Sequence, residues 1–224
     1  MTSLARLLQL ASAALPVGAY SYSQGLEAAA EARIVTDATS AGRWIGDALS
    51  LSVAKLEAPV WWRLYNAWKA GGLDEVRQLN ALFGATRETA ELRAETLQMG
   101  YSLRRLCVEL GEFGPGAIAG LESMEEIVFP AAFTFVAAQW EIPARDALVA
   151  YLWSWLENQV MAALKAVPLG QTDGQRLLLQ LGNQLDSIAE EAMAAEEALL
   201  ANFAPGLAIA SSRHESQYSR LFRS

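Results

Sequence analysis

The chain is expected to fold as an all-α, single-domain multi-helix bundle with a flexible C-terminal tail. Three observations carry this. Alanine, leucine and glutamate dominate the long segments, and their apolar residues recur with a helical rather than a two-residue period. Of 224 residues, 53% are hydrophobic and 19% charged, enough to build a sizeable core and too apolar for disorder. No set of short alternating segments reads as a sheet. Nothing in the composition cuts the body of the chain. Residues 1–210 are therefore one helical domain, and residues 211–224 form the tail.

Ser3 to Ala13 is the first expected helix, with Leu4, Leu7, Leu8 and Leu10 on its apolar side. Pro16 and Gly18 interrupt it. A second begins around Tyr22 to Gln24 and runs to about Arg33. Thr36 is the expected cap of a third that continues toward Leu56, with Pro59 permitting a break or kink before Val60 to Lys69. Gly71 and Gly72 close that unit, and Asp74 to Phe83 follows as a short helix.

Thr86 to Leu110 reads as one long helix with Leu92, Met99, Leu103, Leu106 and Leu110 on its buried side. Arg87 and Glu91 have ion-pair spacing, and Gly100 marks either a close crossing or an imperfection. GEFGPG, Gly111 to Gly116, is a connector. Ser123 opens a helix to about Trp140 that Pro130 kinks or splits. Pro143 precedes Asp146 to Val167, whose apolar residues on more than one side imply central packing.

Pro168 and Gly170 end that helix, and Thr172 with Gln175 has capping-box spacing. A final helix runs from Asp173 to about Asn202 on Leu177, Leu181, Leu185, Ile188, Ala192 and Leu199. Asp186, Glu190, Glu191, Glu196 and Glu197 make its second half a solvated acidic face. Pro205 and Gly206 set the tail apart.

The inventory excludes much chemistry. His214 and Cys107 are the only imidazole and thiolate residues, so a self-contained transition-metal site is not expected. There is no P-loop, no glycine fingerprint after a strand, and no nucleophile elbow; no catalytic residue is assigned. A net charge of -8 argues against nucleic acid and anionic membrane. Gln9 and Ser12 dilute the apolar start as an export signal, and Ile127 to Ala138 is too short to span a bilayer. One cysteine fits a reducing compartment, so the expectation is a soluble, cytoplasmic protein.

The tail, SSRHESQYSRLFRS, is basic and aromatic at the end of an acidic protein, a composition suited to docking on a partner. LLQLASAALPVGAYSYSQGLE near the start, WLENQVMAALKAVPLGQTDGQRLL in the last third, and SRHESQYSRLFRS at the end together resemble the F-type urease accessory protein family. The resemblance covers essentially the whole chain. It implies an all-α, non-enzymatic factor that helps load nickel into apo-urease. It implies binding to the D-type scaffold (H-type in some organisms), recruitment of the G-type GTPase, and homodimerisation. No cofactor is bound intrinsically; nickel and GTP are handled by partners.

Residue by residue, the resemblance assigns D/H-partner binding to Arg213, His214, Tyr218, Arg220, Leu221, Phe222 and Arg223, with Tyr218, Leu221 and Phe222 as anchors in partner pockets. Tyr20, Ser23, Glu27, Lys165, Gln171, Asp173 and Arg176 become candidates for a GTPase or assembly interface. Pro16, Gly18 and Gly25 read as a structural turn. Ala14, Ala19 and Gln24 depart from the family pattern, which speaks against a metal role for this loop. Two other readings stand beside this one: a GTPase activator that supplies an arginine, and a generic helical dimeric scaffold.

Overall fold

The computed structural model describes residues 2–196 and 200–224, and no strand occurs among them. Glu197 and Leu199, expected on the last long helix, lie outside the described residues. The helices are α1 Ser3–Leu10, α2 Leu26–Glu31, α3 Ala38–Ala48, α4 Ala58–Ala70, α5 Leu73–Ala85, α6 Ala90–Leu110, α7 Pro115–Glu122, α8 Phe129–Gln139, α9 Ala144–Ala166, α10 Gln171–Gly182, α11 Leu185–Ala194 and α12 Pro205–His214. They form a single all-α domain, as the apolar periodicity predicts.

Helix α9 is the central post. It packs against α1, α2, α3, α4, α8, α10 and α11. Leu148, Leu152, Leu156 and Ala163 on it are fully buried, which explains why its apolar residues are not confined to one stripe. On one flank α8 lies between α4 and α6. There Trp61, Phe133 and Tyr151 meet with ring centroids 5.0–6.2 Å apart, mostly tilted or edge-on, the arrangement aromatic quadrupoles favour.

Several boundaries differ from expectation, each for a local reason. Asp37, not Thr36, caps α3, because its carboxylate accepts from Ser40 N at 2.8 Å while Ser40 Oγ reaches back to Asp37 N. Pro59 does not break the rod. A π-helical stretch, Leu49–Glu57, joins α3 to α4 directly. Proline deprives the Lys55 carbonyl of its usual helical donor, and Ala201 N donates to that carbonyl instead at 3.3 Å. Pro130 neither kinks nor splits a helix: residues 123–128 are not helical, and Pro130 sits in the first turn of α8, which starts at Phe129 rather than Ser123.

The long helix expected from Thr86 begins instead at Ala90, capped by Thr89 Oγ1. Gly100 on it is a close-approach position: a Cβ there would stand 2.0 Å from the Ile127 carbonyl oxygen. The expected Arg87–Glu91 pair does not form. Arg87 turns inward to Glu57 and Glu91 meets Arg220 and His214. The helix expected from Asp173 to Asn202 is two helices, α10 and α11, with a turn after Gly182.

The largest departure is at the C-terminus. The segment expected to be a flexible tail outside the bundle begins as α12, which packs on α2 and α6. Residues beyond α12 are bound to the body by backbone and side-chain contacts, and Phe222 and Ser224 are buried.

Candidate functional site

The first and last motifs close on each other. Gly18 and Gly25 adopt left-handed backbone, φ 79° and 78°, with a short 3₁₀ turn at Ala19–Ser21 between them. Gly25 has a second constraint, since a Cβ on it would stand 2.9 Å from Ser211 N. Its absence lets α12 lie directly on the start of α2. Ser23 then uses both its donors on one acceptor: its N–H and its hydroxyl reach the Ser224 carbonyl at 2.7 and 2.6 Å. Arg223 N donates to the Ser21 carbonyl at 2.8 Å.

Glu27 is the hub. Its carboxylate accepts from Leu221 N at 2.7 Å and from Phe222 N at 3.0 Å, and Oε2 lies 3.1 Å from His214 Nε2. The other imidazole nitrogen, His214 Nδ1, faces Glu91 Oε2 at 2.7 Å, and Arg220 Nη1 donates to Glu91 Oε1 at 2.6 Å. A glutamate side chain thus faces each of the two imidazole nitrogens. Glu215 Oε1 accepts from Ala90 N at 3.0 Å and so covers an orphan donor at the start of α6. Thr89 Oγ1 and Ser211 Oγ lie 2.7 Å apart.

The third motif joins at the same place. Asn158 Nδ2 donates to the Tyr22 carbonyl at 3.1 Å, and Trp155 Nε1 to Gln24 Oε1 at 2.9 Å. Gln24 in turn donates to Glu95, which also accepts from Ser224 Oγ at 2.9 Å. Burial pushes the Glu95 carboxyl up to about 7 against the pull of those two hydrogen bonds. Lys165 Nζ sits 5.5 Å from the Phe222 ring centroid and 6.0 Å from that of Tyr20, within cation–π reach of both.

The predicted site residues therefore divide. His214 is fully buried and Phe222 nearly so, which commits both to contacts inside the molecule; they are not free anchors for a partner pocket. Ser23 and Glu27 are likewise buried parts of the clasp. Facing outward are Tyr218, 97% exposed, Leu221, 72%, and Tyr20, 67%, together with Arg213, Arg220, Arg223 and Lys165. Pro16 is exposed at the turn. Gln171 and Arg176 are exposed on α10, where Asp173 holds Arg176 at 3.0 Å and accepts from Gly170 N at 3.3 Å.

Glu91 and Glu95 belong to this site and went unread in the sequence. Glu95 had a signal: it falls on the apolar stripe of α6, three residues after Leu92 and four before Met99. A charge in a core register asks for a buried partner. Cys107 is buried, and burial pushes its thiol up to about 12, so it is no nucleophile. Among the described residues no group of three or more His, Cys, Asp or Glu side chains gathers to hold a metal ion. None of their helices is long and apolar enough to cross a membrane.

Fold and site define an all-helical protein whose three sequence motifs are assembled into one face. A family model described as UreF matches residues 35–182. The urease accessory protein UreF of Azoarcus sp. (strain BH72) is 60% identical over 223 residues, covering 99% of this chain and 95% of that protein. The namesake from Dechloromonas aromatica (strain RCB) is 55% identical over 222 residues, 99% of this chain and 97% of its own. That from Methylobacillus flagellatus is 50% identical, covering 99% and 98%. The chain belongs to the UreF family of urease accessory proteins.

Proposed function

We propose that this chain is a cytoplasmic urease maturation factor that bridges the D/H-type accessory scaffold and the G-type GTPase. By holding them in one geometry it promotes nickel insertion into apo-urease. Nickel is cargo of the assembly, GTP hydrolysis stays on the GTPase, and a second copy of this chain pairs with the first. The chain itself is not an enzyme. Family membership supports the maturation role. The observation that carries the docking surface is the clasp: buried Glu27 and partly buried Glu91 fix a segment that holds Tyr218 and Leu221 outward. A rigidly presented aromatic and apolar pair loses little freedom on binding. Arg213 and Arg223 flank it with positive charge, and Tyr20 with Lys165 extends it across the N-terminal loop.

Affinity for the purified D/H-type protein tests the reading. Tyr218→Ala combined with Leu221→Ala removes outward atoms and leaves the clasp hydrogen bonds in place. We expect this double variant to weaken binding by about tenfold or more, with the unfolding midpoint hardly moved. Unchanged affinity places the interface elsewhere. Ending the chain at Ala210 is the less selective test, because it also strips Glu27, Glu91 and Glu95 of their buried partners.

A further inference from the structure

Four carboxylates gather at the clasp and directly beneath it, and three of them face a cation or an imidazole. Glu91 meets Arg220 at 2.6 Å and His214 at 2.7 Å, Glu27 lies 3.1 Å from His214, and Glu57 faces Arg87 at 3.4 Å. Glu95 differs. Among the described residues no Lys, Arg or His stands within ion-pair distance of it, and both of its side-chain donors are neutral. Gln24 Nε2 donates to Oε1 at 2.8 Å and Ser224 Oγ to Oε2 at 2.9 Å.

The two donors are anchored differently. Gln24 belongs to the N-terminal loop and is held from behind by Trp155 Nε1 at 2.9 Å. Ser224 belongs to the segment after α12; it is fully buried, and Phe222 nearly so. Glu95 also borders a cavity of about 190 Å³ walled largely by apolar side chains, Leu10, Phe83, Met99 and Phe133 among them. Such walls solvate an ion poorly. The other titratable groups near it are Glu57 from the π-helical stretch, Arg87 from the approach to α6, Tyr151 from α9, and Tyr22 with Arg223. Glu57 and Arg87 oppose each other in charge, so burial dominates.

We propose that Glu95 makes the clasp a proton-operated latch: the stretch from Phe222 to Ser224 stays closed over the protonated carboxyl and opens to admit water once the carboxyl ionises. Opening breaks the bonds that Ser23 N–H and hydroxyl make to the Ser224 carbonyl and that Arg223 N–H makes to the Ser21 carbonyl. It uncovers an ion that has no cation of its own. The closed form holds the Glu95 proton to about pH 7, so closure is strongest in acid, weakens as pH rises from 4.5 through that value, and is constant above it. The contacts among His214, Glu91 and Arg220 use none of the atoms released with Ser224. The latch is a property of the clasp itself and stands whatever docks beside it.

Amide hydrogen exchange of the full chain, corrected for intrinsic rates, reads the opening at Ser23 and Arg223. Between about pH 5.5 and about pH 8 their protection should fall by about tenfold or more. Both should stay less protected than Phe135 inside α8, because they open locally. In Glu95→Gln, which keeps a polar partner for Gln24 and Ser224, protection should be equal at the two pH values. Carbon NMR of the Glu95 carboxyl in the unaltered chain needs no variant to fold: its titration should span the window over which protection declines. Protection that is flat or rises with pH, exchange of Ser23 and Arg223 at the rate of Phe135, or titration of Glu95 outside that window would each overturn the proposal. So would an undiminished pH effect in a folded Glu95→Gln protein, which would move the response to Glu27, Glu91 and His214.

Discussion

Glu95 illustrates what one buried carboxyl does to the molecule. Its proton is held to about pH 7 in the fold, against an ordinary value of 4.5. Between those values the folded chain binds more proton than the unfolded one, so stability falls as pH rises through that window and then levels off. Glu95→Gln removes this slope. Glutamine still accepts from Gln24 and can donate to Ser224 Oγ, so the expected outcome is a gain at pH 8 on the order of 2 kcal/mol and no gain at pH 4.5. Urea unfolding at the two pH values decides it; a variant that is less stable at pH 8 refutes the sign. Gly25 carries a steric constraint instead. Gly25→Ala meets both a left-handed backbone and the Ser211 amide at 2.9 Å, and should cost roughly 2 kcal/mol in the same measurement.

Among the elements, local chemistry was legible where the signal was periodic. The two-sided apolar pattern of 146–167 announced the central post, whereas Pro130, read as a kink or split, instead marks the first turn of α8. The break between α10 and α11 was not legible. Leu177, Leu181, Leu185 and Ile188 keep helical spacing straight through it, because both helices bury that side against α9. Pro59 misled for the opposite reason: its missing donor is compensated by Ala201, a residue remote in sequence. Gly100 allows the two kinds of effect to be weighed. Alanine there gains up to about 1 kcal/mol of helix propensity. Its Cβ, 2.0 Å from the Ile127 carbonyl oxygen, forces α6 away from the segment leading into α8. Overpacking of that kind costs about 1–3 kcal/mol, so Gly100→Ala should be destabilising on balance. Thermal unfolding that shows a rise in midpoint would reverse that weighting.

For the molecule as a whole, the three motifs were visible as motifs, but their convergence was not. Nothing local in RHESQYSRLFRS shows that His214 meets a carboxylate 187 positions away, so a segment rich in Arg and aromatics read as free. The outward roles of Tyr218 and Leu221 and the inward roles of His214 and Phe222 differ only through tertiary contacts. Glu27→Ala tests the integrity of that arrangement. It orphans two backbone N–H groups and one side of the imidazole, and should release the segment after α12. Trypsin should then cut at Arg220 and Arg223 much faster than in the unaltered protein, with the rest of the bundle intact. Equal cleavage rates would show that the remaining contacts suffice.

The clasp also sets a schedule for synthesis. Ser23 waits for Ser224, 201 positions later, and Glu27 waits for the same stretch. At roughly 5–20 residues per second, translation leaves the first motif uncovered for something like ten to forty seconds. During that interval Glu27 lacks its later partners and no Tyr218 or Leu221 exists to be displayed. The proposed docking pair, Tyr218 and Leu221, is thus held outward only once residues 211–224 have been made and have closed on Glu27.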